Sequence, residues 1–478
     1  MYLKKLHISN FRCFRDYTIE FAPGVTVLFG KNGSGKSTLI HAIHKALSFA
    51  FRKADAEDKD AISLSAGFYD QKPNGLKPRN YDKKTDIVRD EKTGLPPQSI
   101  NIHAEARFLD LDLDWNMFAA PFNLYDSKYK DAFQKLMDKI KSTNTFPVFA
   151  YFSDSFPHVT NNASSLTKTQ LSLRNLGYVG WDDETAYSDL WITKYSQVWM
   201  QWNRANFEVA HEENSLKNCD VFLKDGIVTE KEYQEDVALH QARLSNALEE
   251  RAKYEPEVSA IRDCLVRFTK GDANIEILDM FVSVYDEDGL CLSTRDRKTI
   301  SFEKLPAGYK RIIYMALDIA YRSYILNGTT YSEGVVIIDE IDLHLHPELE
   351  QTVLQRFTST FPNVQFIVST HSPLVLTGVE TKDGRNCVMK MTPECDAPEV
   401  WGNIHGIDYN QMLEENMNVS KRKPEIDKLF KKAWDEVAEK DVKAAKATVA
   451  ELEASTPADQ IELVKLRALI SRLEIIGR

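Results

Sequence analysis

The chain has 478 residues, 43% of them hydrophobic and 27% charged, which is typical of a large globular protein with a sizeable core. It contains no run of about 18 apolar residues that would predict a membrane span, and its opening MYLKKLHISN alternates like a strand, unlike a signal peptide. The formal net charge of −11 argues against broad electrostatic binding of nucleic acid, and we expect a cytoplasmic protein.

The first predicted elements lead into a nucleotide-binding loop. Alternating or apolar segments predict strands at residues 3–8, 17–21 and 25–29. Directly after the third strand, the run GKNGSGKS at residues 30–37 fits the phosphate-binding pattern GxxxxGK[ST] at every fixed position. A helix is predicted from Thr38, so the run lies between a buried strand and a helix N-terminus, as the pattern requires.

This loop predicts a site for ATP and Mg²⁺. Glycines let the backbone direct its N–H groups toward phosphate, and the helix N-terminus contributes partial positive charge. Lys36 should reach the β- and γ-phosphates, and the hydroxyl of Ser37 should ligate Mg²⁺. The candidate nucleotide contacts in the loop are Gly30, Asn32, Gly33, Ser34, Gly35, Lys36, Ser37 and Thr38.

The middle of the chain carries weaker patterns. Residues 52–99 are rich in Lys, Asp, Pro and Gly and are predicted to form loops, followed by an alternating strand at 100–108. Residues 111–275 are predicted to be a mainly helical insertion. Its helical segment 229–253 lacks sustained heptads, so we expect a lid or short arm and not a long coiled coil.

A second cluster of chemically competent residues follows in the last third of the chain. An apolar strand at 335–338 ends in Asp339 and Glu340, an arrangement that can place one carboxylate on Mg²⁺ and one near the attacking water. A further buried strand at 364–370 ends at His371, where ligands of α/β sheets bind. These residues are therefore predicted to complete the site that the phosphate loop begins.

Together these clusters resemble the ABC-type ATPases of the SMC, Rad50 and RecF group, most strongly over residues 1–50 and 300–375. The resemblance implies an α/β fold: an ABC-ATPase head with a mixed β-sheet and flanking helices, a mainly helical middle insertion and a helical C-terminal tail. The regions it implies are an ATPase lobe at 1–110, the insertion at 111–275, a second ATPase lobe at 276–402 and the tail at 403–478.

The same resemblance implies roles for individual residues. Asp339 would ligate Mg²⁺ and Glu340 would be the catalytic base, with Asp342 in the D-loop and His371 as the switch histidine. Arg12, in Asn-Phe-Arg, matches an N-terminal arginine that lies beside the nucleotide in this group. Because each ATP in the group lies between Walker A of one subunit and the signature motif of another, at least a homodimer is expected.

The signature motif departs from the pattern of the group. Where the group has a sequence close to LSGGQ, this chain has LPAGY at residues 305–309. Pro306 replaces the serine and offers neither a hydroxyl nor a backbone N–H to a γ-phosphate. Ala307 and Gly308, at the start of the following helix, remain candidate phosphate contacts, so we expect ATP binding with slow hydrolysis.

At a finer level the motifs LPxGYK, DEIDLHLHP and STHSP resemble the PtuA-type ATPases of Septu and retron-associated anti-phage systems. This resemblance implies a sensor or regulator that controls a separate effector nuclease of the HNH type, PtuB-like, with nucleic acid or retron RNA–DNA as a further partner. The 77 residues after Trp401 read as helical and carry no strand with Asp-x-Asp, which argues against a nuclease within the tail. The alternatives are a RecF- or Rad50-like repair ATPase and a nucleotide-locked scaffold.

The tail is predicted to consist of helices. From Pro424, apolar residues recur at helical spacing as far as Leu452, and a second stripe follows a break at 455–457. The two segments can pack on each other, which would account for the stripes alone. Trp434, Leu469 and Ile476 widen the apolar surface beyond one seam, and we interpret them as a patch for the nuclease or another copy of the chain.

Two assignments stay open on the sequence. The glutamine that reports the γ-phosphate in the group has only positional candidates here, Gln71 and Gln98. Three alternating carboxylates resemble an acidic metal cluster, but their spacing is more typical of an exposed strand end. They are Asp110, Asp112 and Asp114.

Overall fold

The computed structural model describes residues 1–51, 86, 99–119, 129–153, 174–181, 188–283, 289–296, 298–392, 394, 397–402, 412, 423–457 and 460–476. The chain divides into two compact units, Met1–His405 and Gly406–Arg478. The strands, all in the first unit, are β1 (Tyr2–Phe11), β2 (Phe14–Glu20), β3 (Val25–Gly30), β4 (Ile100–Phe108), β5 (Leu111–Ala119), β6 (Val148–Phe152), β7 (Ile277–Val282), β8 (Leu290–Thr294), β9 (Thr299–Ser301), β10 (Gly334–Ile338), β11 (Val364–Thr370), β12 (Asn386–Met391) and β13 (Glu399–Trp401).

Helices flank the sheets of the first unit and make up the described part of the second. The loops predicted at 52–99, with Gln71 and Gln98, lie almost wholly outside the described residues. The helices are α1 (Lys36–Leu47), α2 (Lys130–Thr143), α3 (Ser188–Lys224), α4 (Glu230–Thr269), α5 (Ala307–Asn327), α6 (Pro347–Thr360), α7 (Pro373–Thr377), α8 (Pro424–Ala438), α9 (Val442–Ser455) and α10 (Ile461–Ile476).

The central sheet has six strands in the order β13-β12-β3-β11-β10-β6. All neighbours are parallel except β12 and β13, so the sheet is mixed, as predicted. Strands β3, β10 and β11 are buried along nearly their whole length, which explains their continuous apolar sequences. Parallel pairing brings the carboxyl ends of these three strands to one edge, which is where the phosphate loop, Asp339 and His371 follow.

A four-stranded antiparallel sheet, in the order β2-β1-β4-β5, packs over α1. Its strands alternate buried and exposed residues, since one face meets the core and the other faces solvent. The side chain of Gln365 on β11 joins the two sheets, accepting from Leu3 N (2.8 Å) and donating to Leu3 O (2.9 Å). β5 pairs with β4, and β6 pairs with β10, so both strands belong to these two sheets. Residue 110 is therefore not a structural boundary of a helical insertion.

The insertion contains a long helical hairpin. Helix α3 has 37 residues and α4 has 40, about 60 Å at 1.5 Å per residue, and they pack antiparallel: Asp220 lies beside Tyr233, and Trp202 beside Glu255. A lid or short arm was expected, whereas the two helices form a long hairpin. Along α4, buried and half-buried residues alternate at spacings of four and three, at Tyr233, Val237, His240, Leu244, Ala247, Arg251, Tyr254, Val258 and Ile261.

The part of the second unit that the structure describes holds three long helices around a core of its own. The apolar pattern continues without a break from Pro424 to Leu452, but the chain turns between α8 and α9, where Lys440 adopts a left-handed φ of 61°. Asp441 then caps α9 by accepting from Ala444 N at 3.0 Å. The predicted break at 455–457 is present. The core comprises Phe430, Ala433, Ala445, Val449, Leu452, Leu463, Leu466 and Ile470.

Trp434 is half-buried and packs against this core, whereas it was expected in an exposed patch. The indole packs against the cluster, and its Nε1 donates to Glu462 Oε1 at 3.0 Å. Leu469 is half-buried, and the side chain of Ile476 lies outside the described residues. Among the described side chains of α10, the large apolar ones that are exposed are Ile461, Val464 and Ile475. A partner-binding role for the tail stays a prediction.

Candidate functional site

The phosphate loop follows β3 and opens α1, as its sequence predicts. Gly35, the residue before the helix, has a φ of 89°, a conformation that favours glycine. Gly30 has no room for a side chain, because an added Cβ would lie 2.4 Å from the carbonyl oxygen of Met391 on β12. Asn32 and Ser37 are exposed and Thr38 is half-buried on the first turn of α1. The loop therefore presents its backbone and the Ser37 hydroxyl to an incoming ligand.

Lys36 lies between this loop and the acidic end of β10. Its Nζ donates to the carbonyl oxygens of Gly30 (2.8 Å) and Lys31 (3.1 Å). Burial lowers the pKa of Lys36, whereas the carboxylates of Asp339, Glu340 and Asp342 act to raise it. Three carboxylates from a distant stretch of sequence therefore act electrostatically on the phosphate-loop lysine.

The loop also contains a polar atom that fits a phosphate. The hydroxyl oxygen of Ser34 is fully buried and has no hydrogen-bond partner among the described residues. Buried hydroxyls are normally paired, since leaving one unpaired costs about 1–3 kcal/mol. A phosphate oxygen in the loop could accept this proton, so the residues present fit a bound nucleotide.

Hydrogen bonds with β6 and β11 hold the two acids that follow β10. Asp339 N donates to Phe152 O of β6 at 2.8 Å, and Asp339 Oδ1 accepts from the Ser369 hydroxyl. The same hydroxyl oxygen accepts from Glu340 N at 2.8 Å. Glu340 adopts a left-handed φ of 52°, which is uncommon for a residue with a side chain. Ser369 was not singled out from the sequence, although it lies in the quoted STHSP run.

The D-loop fixes the backbone at His371. Asp342 Oδ1 accepts from the Thr370 hydroxyl at 2.6 Å and from His371 N at 3.2 Å. Asp339 could ligate Mg²⁺ together with Ser37, Glu340 could orient a water, and His371 stands at the same edge of the sheet. The structure thus brings the phosphate loop, Asp339, Glu340 and His371 to one edge of the sheet.

Arg12 is paired with an acidic side chain. Its Nε donates to Asp86 Oδ1 at 2.9 Å, and Lys45 Nζ pairs with the other oxygen of Asp86 at 2.9 Å. The next residue, Cys13, does lie against the phosphate loop, with its sulfur 3.1 Å from where a Cβ on Gly35 would be. Contact of Arg12 with nucleotide stays a prediction.

The signature segment divides into an exposed and a buried part. Pro306 caps α5 without a side-chain hydrogen bond, and both Pro306 and Ala307 are exposed. Gly308 is buried against the D-loop, where an added Cβ would lie 2.6 Å from the carbonyl oxygen of His344. Packing within the subunit therefore requires glycine here, whether or not Gly308 also faces a phosphate.

Each of the three alternating aspartates after β4 pairs with a basic side chain. Asp110 pairs with Lys139, Asp112 with Lys4 at 2.6 Å, and Asp114 with His103 at 3.1 Å. Hydrogen bonds from the two lysines lower the pKa of Asp110 and of Asp112. No group of three or more His, Cys, Asp or Glu side chains in the described part of the chain could hold a metal ion. No helix there is long and apolar enough to cross a membrane.

Two protein families match parts of the chain. One, described as "AAA domain", matches residues 5–93, and the other, described as "AAA domain, putative AbiEii toxin, Type IV TA system", matches residues 259–377. The first match contains the phosphate loop and the second contains the signature segment, the two acids and His371. These matches and the motif geometry identify an ATPase.

Several curated proteins and solved structures are similar to the chain. The "Retron Ec83 probable ATPase" of Escherichia coli is 24% identical over 88% of this chain and 77% of its own length. The "Retron Vc95 probable ATPase" of Vibrio cholerae is 26% identical, covering 75% and 67%. The "Septu protein PtuA" of Bacillus mycoides is 40% identical over 20% of this chain and 13% of its own. The SMC head domain from Thermotoga maritima matches with a TM-score of 0.41 and 13% identity, covering 84% and 98%.

Proposed function

We propose that this ABC-type ATPase, a relative of the retron and Septu ATPases, hydrolyses ATP slowly between two copies of itself and thereby controls a separate effector nuclease in anti-phage defence. The observation that carries the catalytic part is the convergence of Lys36 with Asp339, Glu340 and Asp342 at one edge of the central sheet. The relatedness to retron ATPases along most of the chain supports the biological setting.

The residues of the site have distinct tasks in this proposal. The phosphate-loop backbone, Lys36 and the Ser34 hydroxyl bind the phosphates, and Ser37 and Asp339 would hold Mg²⁺, which neutralises charge on the β- and γ-phosphates. Glu340 accepts the proton of the attacking water, and its left-handed backbone is held by Ser369 from the next strand. His371, whose backbone is fixed by Asp342, stabilises the γ-phosphate from the same edge.

Two copies are needed because the signature turn presents its exposed residues away from its own packing partners. Pro306 and Ala307 are exposed at the N-terminus of the 21-residue helix α5, whereas Gly308 packs against the backbone of His344. Helix N-termini attract anions, so this turn suits the γ-phosphate of a nucleotide held by another copy. Because Pro306 lacks a hydroxyl, we expect turnover of about 1 per second or less, against a typical value near 10.

The Glu340→Gln variant tests the catalytic assignment. The amide keeps the shape and leaves Asp339 intact but cannot accept a proton, so we expect ATP binding within about twofold of wild type and hydrolysis slower by about 100-fold. Equilibrium binding and single-turnover hydrolysis measure the two quantities. Glu425→Gln, the same change at an exposed position on α8, is the matched control. Equal hydrolysis by wild type and Glu340→Gln would contradict the assignment of the base.

The link to an effector needs a separate measurement, and the gene neighbourhood supplies its reagent. We expect an adjacent gene for an HNH nuclease, whose activity differs between complexes with wild type and with Glu340→Gln under ATP. A neighbouring replication or recombination operon, with no nuclease that co-purifies, would favour a repair ATPase of the RecF kind.

A further inference from the structure

Arg311 connects the signature helix to the catalytic acids of the same subunit. It is the fifth residue of α5, at the start of the second turn and two residues after Tyr309, and only 1% of its surface is exposed. Its guanidinium NH2 donates to the carbonyl oxygen of Glu340 at 3.1 Å and to that of Asp339 at 3.4 Å. The helix that begins with the exposed signature turn is therefore hydrogen-bonded to the backbone of Asp339 and Glu340.

The contact matters because of the backbone conformation at Glu340. Its φ of 52° is a left-handed conformation that costs a residue with a side chain about 1 kcal/mol or more. Such a conformation persists only where the surrounding structure fixes it. Hydrogen bonds hold the peptide groups on both sides of this residue, since Glu340 N donates to the Ser369 hydroxyl and Glu340 O accepts from Arg311. Arginine stays charged at any pH at which proteins fold, so these donors persist.

The first turn of α5 cannot shift without moving Arg311. Gly308 packs against the D-loop, with His344 O 2.6 Å from a hypothetical Cβ. On the other side the Tyr309 hydroxyl donates to Asp272 at 2.8 Å, just beyond the end of α4, and Asp272 also pairs with Arg356 of α6 at 2.7 Å. A displacement of the signature turn therefore reaches the D-loop, the base of the helical hairpin and, through Arg311, the carbonyl of Glu340.

We propose that Arg311 is a positioning residue that sets the carboxylate of Glu340 according to whether the signature turn of the same subunit is engaged by the nucleotide of a second copy. The proposal rests on the two-copy site described under Proposed function. In this proposal the two nucleotide sites of a dimer are coupled. The signature turn of a subunit contacts the nucleotide bound by its partner, and Arg311 links that turn to Glu340, which acts on the nucleotide bound by its own subunit.

The test separates positioning from folding and from nucleotide binding. Arg311→Met should bind ATP within about twofold of wild type, yet hydrolyse it at least about 10-fold more slowly, because a displacement of about 1 Å at a reacting group costs up to 100-fold. Arg311→Lys, which keeps a charge but not the planar fork, should be intermediate. Arg243→Met, at an exposed position on α4, is the control for the chemical change and should match wild type.

A double-mutant cycle with Glu340→Gln is decisive. If Arg311 acts through Glu340, removing it from a protein that already lacks the base should slow hydrolysis by less than about twofold. A multiplied loss in the double variant would overturn the proposal, as would wild-type hydrolysis by Arg311→Met. If Arg311→Met does not fold, Arg311→Lys takes its place in the same cycle. Failure of the proposed function is distinct, because there wild type and Glu340→Gln hydrolyse ATP equally.

Discussion

At the residue scale, sequence reasoning found the groups that act on ATP but not the groups that hold them. The phosphate loop, Asp339, Glu340 and His371 were predictable because their chemistry requires fixed residue types at fixed spacings. Ser369 was not, because its role depends on the register in which β11 pairs with β10, Ile338 opposite Val368. Arg311 was not singled out either, since no local pattern shows that its side chain is buried.

The signature proline is the residue at which sequence and structure make a joint prediction. Pro306 is the N-cap of α5 and makes no side-chain cap hydrogen bond. Pro306→Ser should stabilise the fold by about 1 kcal/mol, since serine is a favoured N-cap, and should also speed hydrolysis by giving the γ-phosphate a hydroxyl. Thermal unfolding measures the first effect and steady-state turnover measures the second.

Pro306→Ala distinguishes the hydroxyl from the loss of the ring. It removes the proline without adding a donor, so its turnover should stay at the wild-type level and below that of Pro306→Ser. Equal turnover of the serine and alanine variants would show that this segment does not face a phosphate.

At the scale of elements, strands were easier to predict than the hairpin of α3 and α4. Buried strands such as β3 and β10 can be recognised in the sequence from their continuous apolar runs. The heptad positions of α4, in contrast, include the polar residues His240 and Arg251. Polar residues in the seam hide the repeat from a search for apolar heptads. In the structure His240 Nδ1 pairs with Glu212 Oε2 at 2.5 Å, and Glu212 is buried on α3.

The pair of Glu212 and His240 gives a prediction about how the hairpin is held together. Removing one partner leaves a buried polar group without its hydrogen bond, so His240→Leu and Glu212→Leu should each destabilise the hairpin by about 1–3 kcal/mol. The double change to leucine should recover much of that loss, because an apolar pair in a seam is often as stable as a buried polar pair. Thermal unfolding of the four proteins completes the cycle, and additive losses would show that the two side chains do not depend on each other.

At the scale of the whole molecule, fold class and the order of motifs followed from the sequence, but the limits of the regions did not. The mixed central sheet and the flanking helices are as predicted. The residues of β5 and β6 were assigned to the insertion, because the sequence does not show their pairing. β5 pairs with β4 across a turn, and β6 pairs with β10, which is distant in sequence. The tail folds around its own core, so its apolar stripes are largely explained by packing within that unit.

The central claim is that two copies enclose ATP between the phosphate loop of one and the signature turn of the other. Two thiols can report this arrangement. Cys13 is exposed, with its sulfur 3.1 Å from a hypothetical Cβ on Gly35 of the phosphate loop. Ala307 is exposed in the signature turn, so an Ala307→Cys variant places a second thiol where the other copy should arrive.

The most direct measurement is cross-linking of Ala307→Cys in the Glu340→Gln background with a short bismaleimide. With ATP and Mg²⁺ we expect a covalent species of twice the chain mass on a denaturing gel, absent without nucleotide and absent when Cys13→Ser is added. Glu340→Gln should hold the closed state by slowing hydrolysis. Failure to form this species with ATP, or its formation to the same extent without ATP, would contradict the account.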